Sequence, residues 1–282
     1  MSELASIILE LQPERPEIIP DYLGRAVHGW FLQIVGDHDP DLALALHKSN
    51  VERPFTLSDL WGPGIRNMGN HRCLLPESSV FIRITSYHAR LTALLQKIYA
   101  NDALPAVSLG PTRLTCSHAF WQASATTPVI VKPWVGQTSF NELMDISLAQ
   151  PQLRRRLSLT FASPTLFRSR GRYQLLPLPR LIFEGLVRRW NAYAPASLPN
   201  EVSAYADEFV VVSGYRLHTR TIQFGGGRGA AAGFVGRCTL AFLDKDPYWQ
   251  SVVHLLANFA LYAGVGKNTA MGLGQARLIE AK

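Results

Sequence analysis

The most chemically suggestive stretch of this 282-residue chain is Gly264-Val265-Gly266-Lys267-Asn268-Thr269-Ala270-Met271-Gly272-Leu273-Gly274. Glycine admits positive φ and lets another backbone approach closely, so the amides of such a turn, with Lys267 beside them, suit a phosphate. The spacing excludes the two common nucleotide loops. A Walker A loop needs Gly at position 261 and Ser or Thr at 268, where Leu and Asn stand; a dinucleotide fingerprint needs Gly at 269, where Thr stands. Arginine supplies the second signal. Arg168, Arg170 and Arg172 alternate in FRSRGRY, and Arg216, His218 and Arg220 alternate again ahead of a glycine run that holds Arg228. In an extended strand such residues share one face at about 7 Å spacing, near that of successive phosphates along a nucleic-acid strand. The consecutive pair Arg188-Arg189 reads instead as a solvated face. Cys73, Cys116 and Cys238 form no C-x-x-C pair, so neither a disulfide framework nor a cysteine zinc site is expected; with no H-x-x-x-H pair and both nucleotide loops excluded, neither a metal nor a cofactor is expected.

The elements that must carry these residues follow from hydrophobic periodicity. Residues 6–11 (SIILEL) read as a strand and 22–35 as a helix with Leu23, Val27, Trp30, Phe31 and Ile34 on one face. A short helix (DLALALHK), strands at 54–58 and 80–84, a helix at 90–99 and an extended run at 106–115 follow. The second half repeats the plan, with strands at 157–161, 209–213, 234–242 and 276–279 and helices at 180–190 and 249–262. Both halves therefore read β-α-β-β-α-β, an α+β chain of two tandem ferredoxin-like (RRM-like) domains, residues 1–145 and 146–282. Net charge is +7, yet residues 1–150 carry 11 Lys and Arg against 14 Asp and Glu, and residues 151–282 carry 17 against 7. Of the 28 cations 22 are Arg, the residue suited to bidentate phosphate contact, so a basic C-terminal half facing nucleic acid is expected. No run of 18 apolar residues exists, and the expectation is a cytoplasmic protein without a membrane partner.

The glycine run near the C-terminus, of the form G-h-G-x5-G-h-G with h apolar, resembles that of the CRISPR-associated endoribonucleases of the RAMP superfamily, which cut CRISPR repeats in precursor RNA. Three further segments are similar to that family in the same order. They are Gly29 to Val35 with Asp39-Pro40-Asp41-Leu42-Ala43 and Leu46-His47, the strand Pro54-Phe55-Thr56-Leu57-Ser58, and Leu159 to Arg168, which holds Ser163-Pro164-Thr165. The resemblance implies repeat RNA as partner and metal-independent cleavage by 2′-OH attack, leaving a 2′,3′-cyclic phosphate and a 5′-OH. Such chemistry needs a base, an acid and positive charge on the phosphorane.

His47 matches the family's catalytic histidine. Some relatives add a tyrosine on the preceding helix and a lysine six residues past the histidine; here Leu32 and Arg53 stand there. Arg53 keeps the charge but cannot exchange a proton. His28 lies one helical turn before Leu32 on the same face and is the candidate for the second proton-transfer group. RNA contacts are expected at Arg168, Arg170, Arg172, Arg216, Arg220, Arg228, Gly264, Gly266, Lys267, Gly272 and Gly274. Two other readings stay open: a catalytically inactive repeat-RNA-binding subunit of the same family, and a generic tandem RNA-recognition-like binding protein. Whether the chain dimerises or joins a CRISPR effector complex is not set by these residues.

Overall fold

The computed structural model describes residues 2–47, 52–69, 71–100, 104–148, 155–224 and 229–279. The chain divides into two compact units, Met1–Gln137 with Ile222–Ala231 and Ala270–Gly272, and Thr138–Thr221 with Ala232–Thr269 and Leu273–Lys282.

The first unit contains β1 (Leu4–Pro13), β2 (Glu17–Pro20), α1 (Gly24–His38), α2 (Pro40–His47), β3 (Phe55–Leu57), β4 (Ile65–Met68), β5 (His71–Leu74), β6 (Val80–Tyr87), α3 (Ala89–Tyr99), β7 (Val107–Leu109), β8 (Thr112–Phe120) and most of β9 (Gly136–Thr138). Its main sheet runs β3-β6-β1-β8-β7, with β9 also on β1. β1 sits between β6 and β8, antiparallel to both, which is why its first six residues are buried without the alternation of a half-exposed strand. α1 buries Val27, Trp30, Phe31, Ile34 and Val35, the stripe that its 3.6-residue periodicity predicts.

The second unit contains α4 (Phe140–Leu148), β10 (Arg156–Thr165), β11 (Phe167–Ser169), β12 (Arg172–Gln174), α5 (Pro179–Tyr193), α6 (Val202–Phe209), most of β13 (Val210–Gln223) and β14 (Ala230–Phe242), α7 (Pro247–Ala263) and β15 (Ala276–Ile279). Proline at the first turn of α5 and α7 fits their starts, and Asp246 caps α7 by accepting from the amides of Tyr248 and Trp249. Trp190 of α5 packs edge-on against Phe140 of α4 and Phe259 of α7, at 5.0 and 5.3 Å between centroids, where these three helices meet.

The sheet of this unit runs β13-β14-β10-β15. Numbering the four core strands of each unit in chain order, both sheets read 2-3-1-4. That shared order, with a helix after the first and third strands, makes the chain an α+β protein of two tandem ferredoxin-like folds. The structure adds elements that periodicity did not give. Among them are the three-stranded sheet β2-β5-β4, strand β9, helices α4 and α6, the β11-β12 hairpin, and a β13-β14 hairpin far longer than the strand expected at 209–213.

Candidate active site

The site is built where α1 begins. Leu23 precedes the helix with no capping side chain of its own, and the carboxylate of Asp59 takes that role by accepting from the Leu23 amide at 3.0 Å. The same carboxylate accepts from the Leu60 amide at 2.8 Å and from the buried Arg72 guanidinium at 3.1 Å, which also donates to the Leu60 carbonyl. The start of α1 is thereby tied to the segment after β3. At Gly24 the fit is too close for any side chain, since a Cβ would stand 2.3 Å from the Met271 carbonyl oxygen. Tyr22 donates its hydroxyl to that same carbonyl and meets Phe224 edge-on, while Arg25 lies over the Phe224 ring. Burial raises the Tyr22 pKa far above its ordinary value, so this phenol stays protonated and holds the backbone in place.

One turn into α1, His28 is half-buried and stacks on Phe55 of β3 at 5.9 Å between ring centroids. Its Nδ1 lies 3.0 Å from the Ala270 carbonyl oxygen, which can only accept, so Nδ1 carries the proton and Nε2 presents a lone pair. Burial pushes the His28 pKa down to about 4; the Arg53 charge and His47 push the same way, against the Ala270 carbonyl. At neutral pH this imidazole is uncharged and its basic nitrogen is defined by the backbone.

His47 and Arg53 are set by local structure. Asp39-Pro40 opens α2 as cap and first helical residue: the Asp39 carboxylate accepts from the Leu42 amide at 3.0 Å. Arg90 grips that carboxylate with two bonds of 2.7 and 2.8 Å, and the Leu42 amide and Arg90 keep the Asp39 pKa below its ordinary value. Eight residues later the helix ends at His47, exposed, while Leu42 and Leu46 are buried. Arg53 is held through its backbone, whose carbonyl accepts from the buried hydroxyl of Tyr87. Its guanidinium makes no hydrogen bond or ion pair among the described residues. The three residues that sequence reasoning named, His28, His47 and Arg53, are thus electrostatic neighbours in the first unit. Leu32 is half-buried and packs against the apolar core of that unit.

The strand motif around β3 is explained residue by residue. Phe55 stacks on His28; Thr56 bonds Thr85 through both its amide and its hydroxyl. The Leu57 carbonyl accepts from Gly272, and the Ser58 hydroxyl accepts from the Arg83 amide.

The glycine loop is closely packed against neighbouring backbone. Gly264, Gly266, Gly272 and Gly274 all have positive φ, and a Cβ on Gly274 would sit 2.0 Å from the Val265 carbonyl oxygen. The amides of Gly264, Val265, Lys267, Gly272, Leu273 and Gly274 already donate to carbonyls of Ala260, Gly274, Leu166, Leu57, Asn268 and Pro164. Those six amides are therefore engaged by backbone carbonyls; the amides of Gly266 and Asn268 are not among them. What the loop offers outward is the Lys267 ammonium; what it offers inward is the Ala270 carbonyl that orients His28. Arg189, read from sequence as part of a solvated face, is buried and donates to the carbonyls of Gly264 at 2.9 Å and Gly266 at 2.6 Å. Its charge completes the C-terminal end of α7. Nothing in a two-arginine run distinguishes a buried member; the signal lay in the helical spacing, since Ile182, Leu186, Arg189 and Trp190 fall on one stripe of α5.

The arginine clusters differ from the linear track expected. Arg170 and Gly171, at φ +48° and +78°, form a two-residue turn, and Ser169 pairs with Arg172 while Arg168 pairs with Tyr173. Arg168, Arg170 and Arg172 are all exposed, but they surround a hairpin tip instead of lining one face of a strand. Arg216, His218 and Arg220 alternate along β13, exposed on the edge strand of its sheet. Arg228 lies outside the described residues.

Comparison with known proteins sharpens this picture. Residues 4–145 match the CRISPR Cas6 N-terminal domain, and residues 159–276 match the CRISPR-associated endoribonuclease Cas6. The CRISPR-associated endoribonuclease Cas6 of Mycobacterium tuberculosis is 26% identical over 158 residues, 56% of this chain and 49% of the relative. That of Streptococcus thermophilus is 29% identical over 127 residues, 44% and 51% of the two. These alignments span about half the length of each curated relative. A solved Cas6 product complex, its protein from Thermus thermophilus, is 27% identical with a TM-score of 0.74, covering 98% of this chain and 100% of that one. With both halves of the sequence matched in order and the fold shared end to end, the chain belongs to the CRISPR-associated endoribonuclease Cas6 family.

Proposed function

We propose that this chain cuts CRISPR repeat RNA in precursor transcripts without a metal ion, by internal transesterification, releasing guide RNAs. The observation that carries the reading is the grouping of His28, His47 and Arg53 about an imidazole whose Nδ1 is fixed by the Ala270 carbonyl. His28 Nε2 takes the proton of a ribose 2′-OH as that oxygen bonds to the adjacent phosphorus. Arg53 stabilises the charge of the phosphorane. His47, protonated, gives its proton to the departing 5′-oxygen as the phosphorus–oxygen bond breaks, leaving a 2′,3′-cyclic phosphate and a 5′-OH. RNA is held by exposed arginines of the second half, Arg168, Arg170, Arg172, Arg216 and Arg220, with Lys267.

The test is cleavage of the cognate repeat in EDTA. One cut is expected, abolished when the single 2′-OH upstream of it is replaced by hydrogen, with binding kept. His47→Ala lowers the single-turnover rate by roughly 100-fold or more and leaves affinity within a few fold. Arrest by EDTA, or cutting of the deoxy substrate, overturns the mechanism. Tight binding with no cutting by the native chain makes it an RNA-binding subunit.

A further inference from the structure

The β11-β12 hairpin of the second unit borders a cleft of about 600 Å³, within the roughly 300–1,000 Å³ of sites that hold small organic molecules. Arg170, Arg172 and Tyr173 line it from the hairpin, Leu178 and Arg180 from the start of α5, and Asp207 from α6. Its composition is unusual in two respects. Tyr173 is 64% exposed although it is a large aromatic residue, and Lys267 lies 5.5 Å from its ring centroid. Lys267 is anchored there by its own backbone, whose amide donates to Leu166 next to β11. The ring therefore has a cation on it and a broad open surface. The second respect is charge: three exposed arginines and one carboxylate line the same cleft, and among the described residues Asp207 forms an ion pair with none of them.

Three arginines alone would describe a site for a bare anion, and a carboxylate would oppose that. A nucleotide reconciles them, because its phosphate needs the cations, its base needs an aromatic face, and its base edge carries N–H donors for the carboxylate. Guanine alone presents two neighbouring donors, N1–H and N2–H, that match the two oxygens of a carboxylate. We propose that this cleft takes one unpaired guanosine of the bound RNA, its base stacked on Tyr173, its Watson–Crick edge on Asp207 and its flanking phosphates on Arg170, Arg172 and Arg180. The proposal rests on the repeat-RNA reading above and adds a subsite apart from the cleavage residues.

Two probes test it. In the cognate repeat, each guanosine is changed in turn to inosine, which lacks the N2 donors, and binding is measured for the native chain, Tyr173→Ala, Tyr173→Phe and Asp207→Asn. One inosine position should weaken native binding and have no further effect in Asp207→Asn. Tyr173→Ala should weaken repeat binding about 5- to 100-fold, as expected for loss of one base stack, and Tyr173→Phe should restore it. Separately, GMP added to the free chain should perturb the Tyr173 ring resonances, and AMP should do so more weakly. Unchanged repeat affinity in both Tyr173→Ala and Asp207→Asn, with unaltered melting curves, overturns the subsite and leaves the nuclease reading standing. A native chain that binds GMP here yet binds no repeat overturns the nuclease reading and leaves the subsite.

Discussion

Histidine chemistry depends on which nitrogen holds the proton, and in His28 a backbone carbonyl decides it. With Nδ1 committed to Ala270, only Nε2 can act, and burial together with the Arg53 charge keeps that nitrogen unprotonated down to about pH 4. Arg53 thus repels a proton from His28, in addition to the phosphorane-stabilising role proposed for it. Arg53→Met should therefore raise the His28 pKa, read by NMR titration of its ring carbons in the free chain. A value that stays near 4 would show that burial alone sets it. The sign also fixes a stability effect. Between pH 6.5, its ordinary value, and about 4, the unfolded chain binds a proton at His28 that the folded chain does not, so stability falls as pH drops through that window. His28→Gln should flatten this part of the melting-temperature profile. The place of His28 one turn before Leu32 is legible in the sequence; the Ala270 carbonyl, 242 residues away, is beyond any local pattern.

Motifs are legible as elements where each residue has a local duty. Asp39-Pro40 is a helix cap and first turn, and residues 55–58 stack, pair and accept in sequence. The small sheet β2-β5-β4 is not legible, because strands of four residues such as β4, half-buried at Ile65 and exposed thereafter, show no alternation. The β11-β12 hairpin departs from the single strand that alternating arginines suggest, because the Arg170-Gly171 turn interrupts the alternation. The glycine loop lies where its spacing places it, but its glycines serve close packing, and the buried Arg189 holds its carbonyls. Arg189→Met removes two charge-assisted bonds and leaves two carbonyls without them, so urea unfolding should show a loss of about 2–4 kcal/mol. A change below about 0.5 kcal/mol, the range of ordinary surface substitutions, would mean the loop holds itself.

Across the whole chain, chemistry and charge are divided. The three candidate catalytic side chains belong to the first unit, whereas the cationic excess lies in residues 151–282, so rate and affinity should respond to different substitutions. Changing Arg168, Arg170 and Arg172 together to Ala should weaken repeat binding while cleavage at saturating protein survives. For every phosphate that an arginine no longer neutralises, the slope of log K against log salt should fall by roughly 0.7 to 0.9. The hairpin geometry refines this expectation. Arg168 and Arg172 lie on opposed strands with Arg170 between them at the turn, so they need not meet three successive phosphates. A slope change smaller than that for three phosphates would fit a tip that enters the RNA, and the linear run Arg216, His218 and Arg220 on β13 is better placed to follow a backbone. Arg216→Ala with Arg220→Ala should then lower the slope by the full amount for two phosphates. Wild-type affinity and slope in both sets of variants would show that the basic half is only a solvated surface.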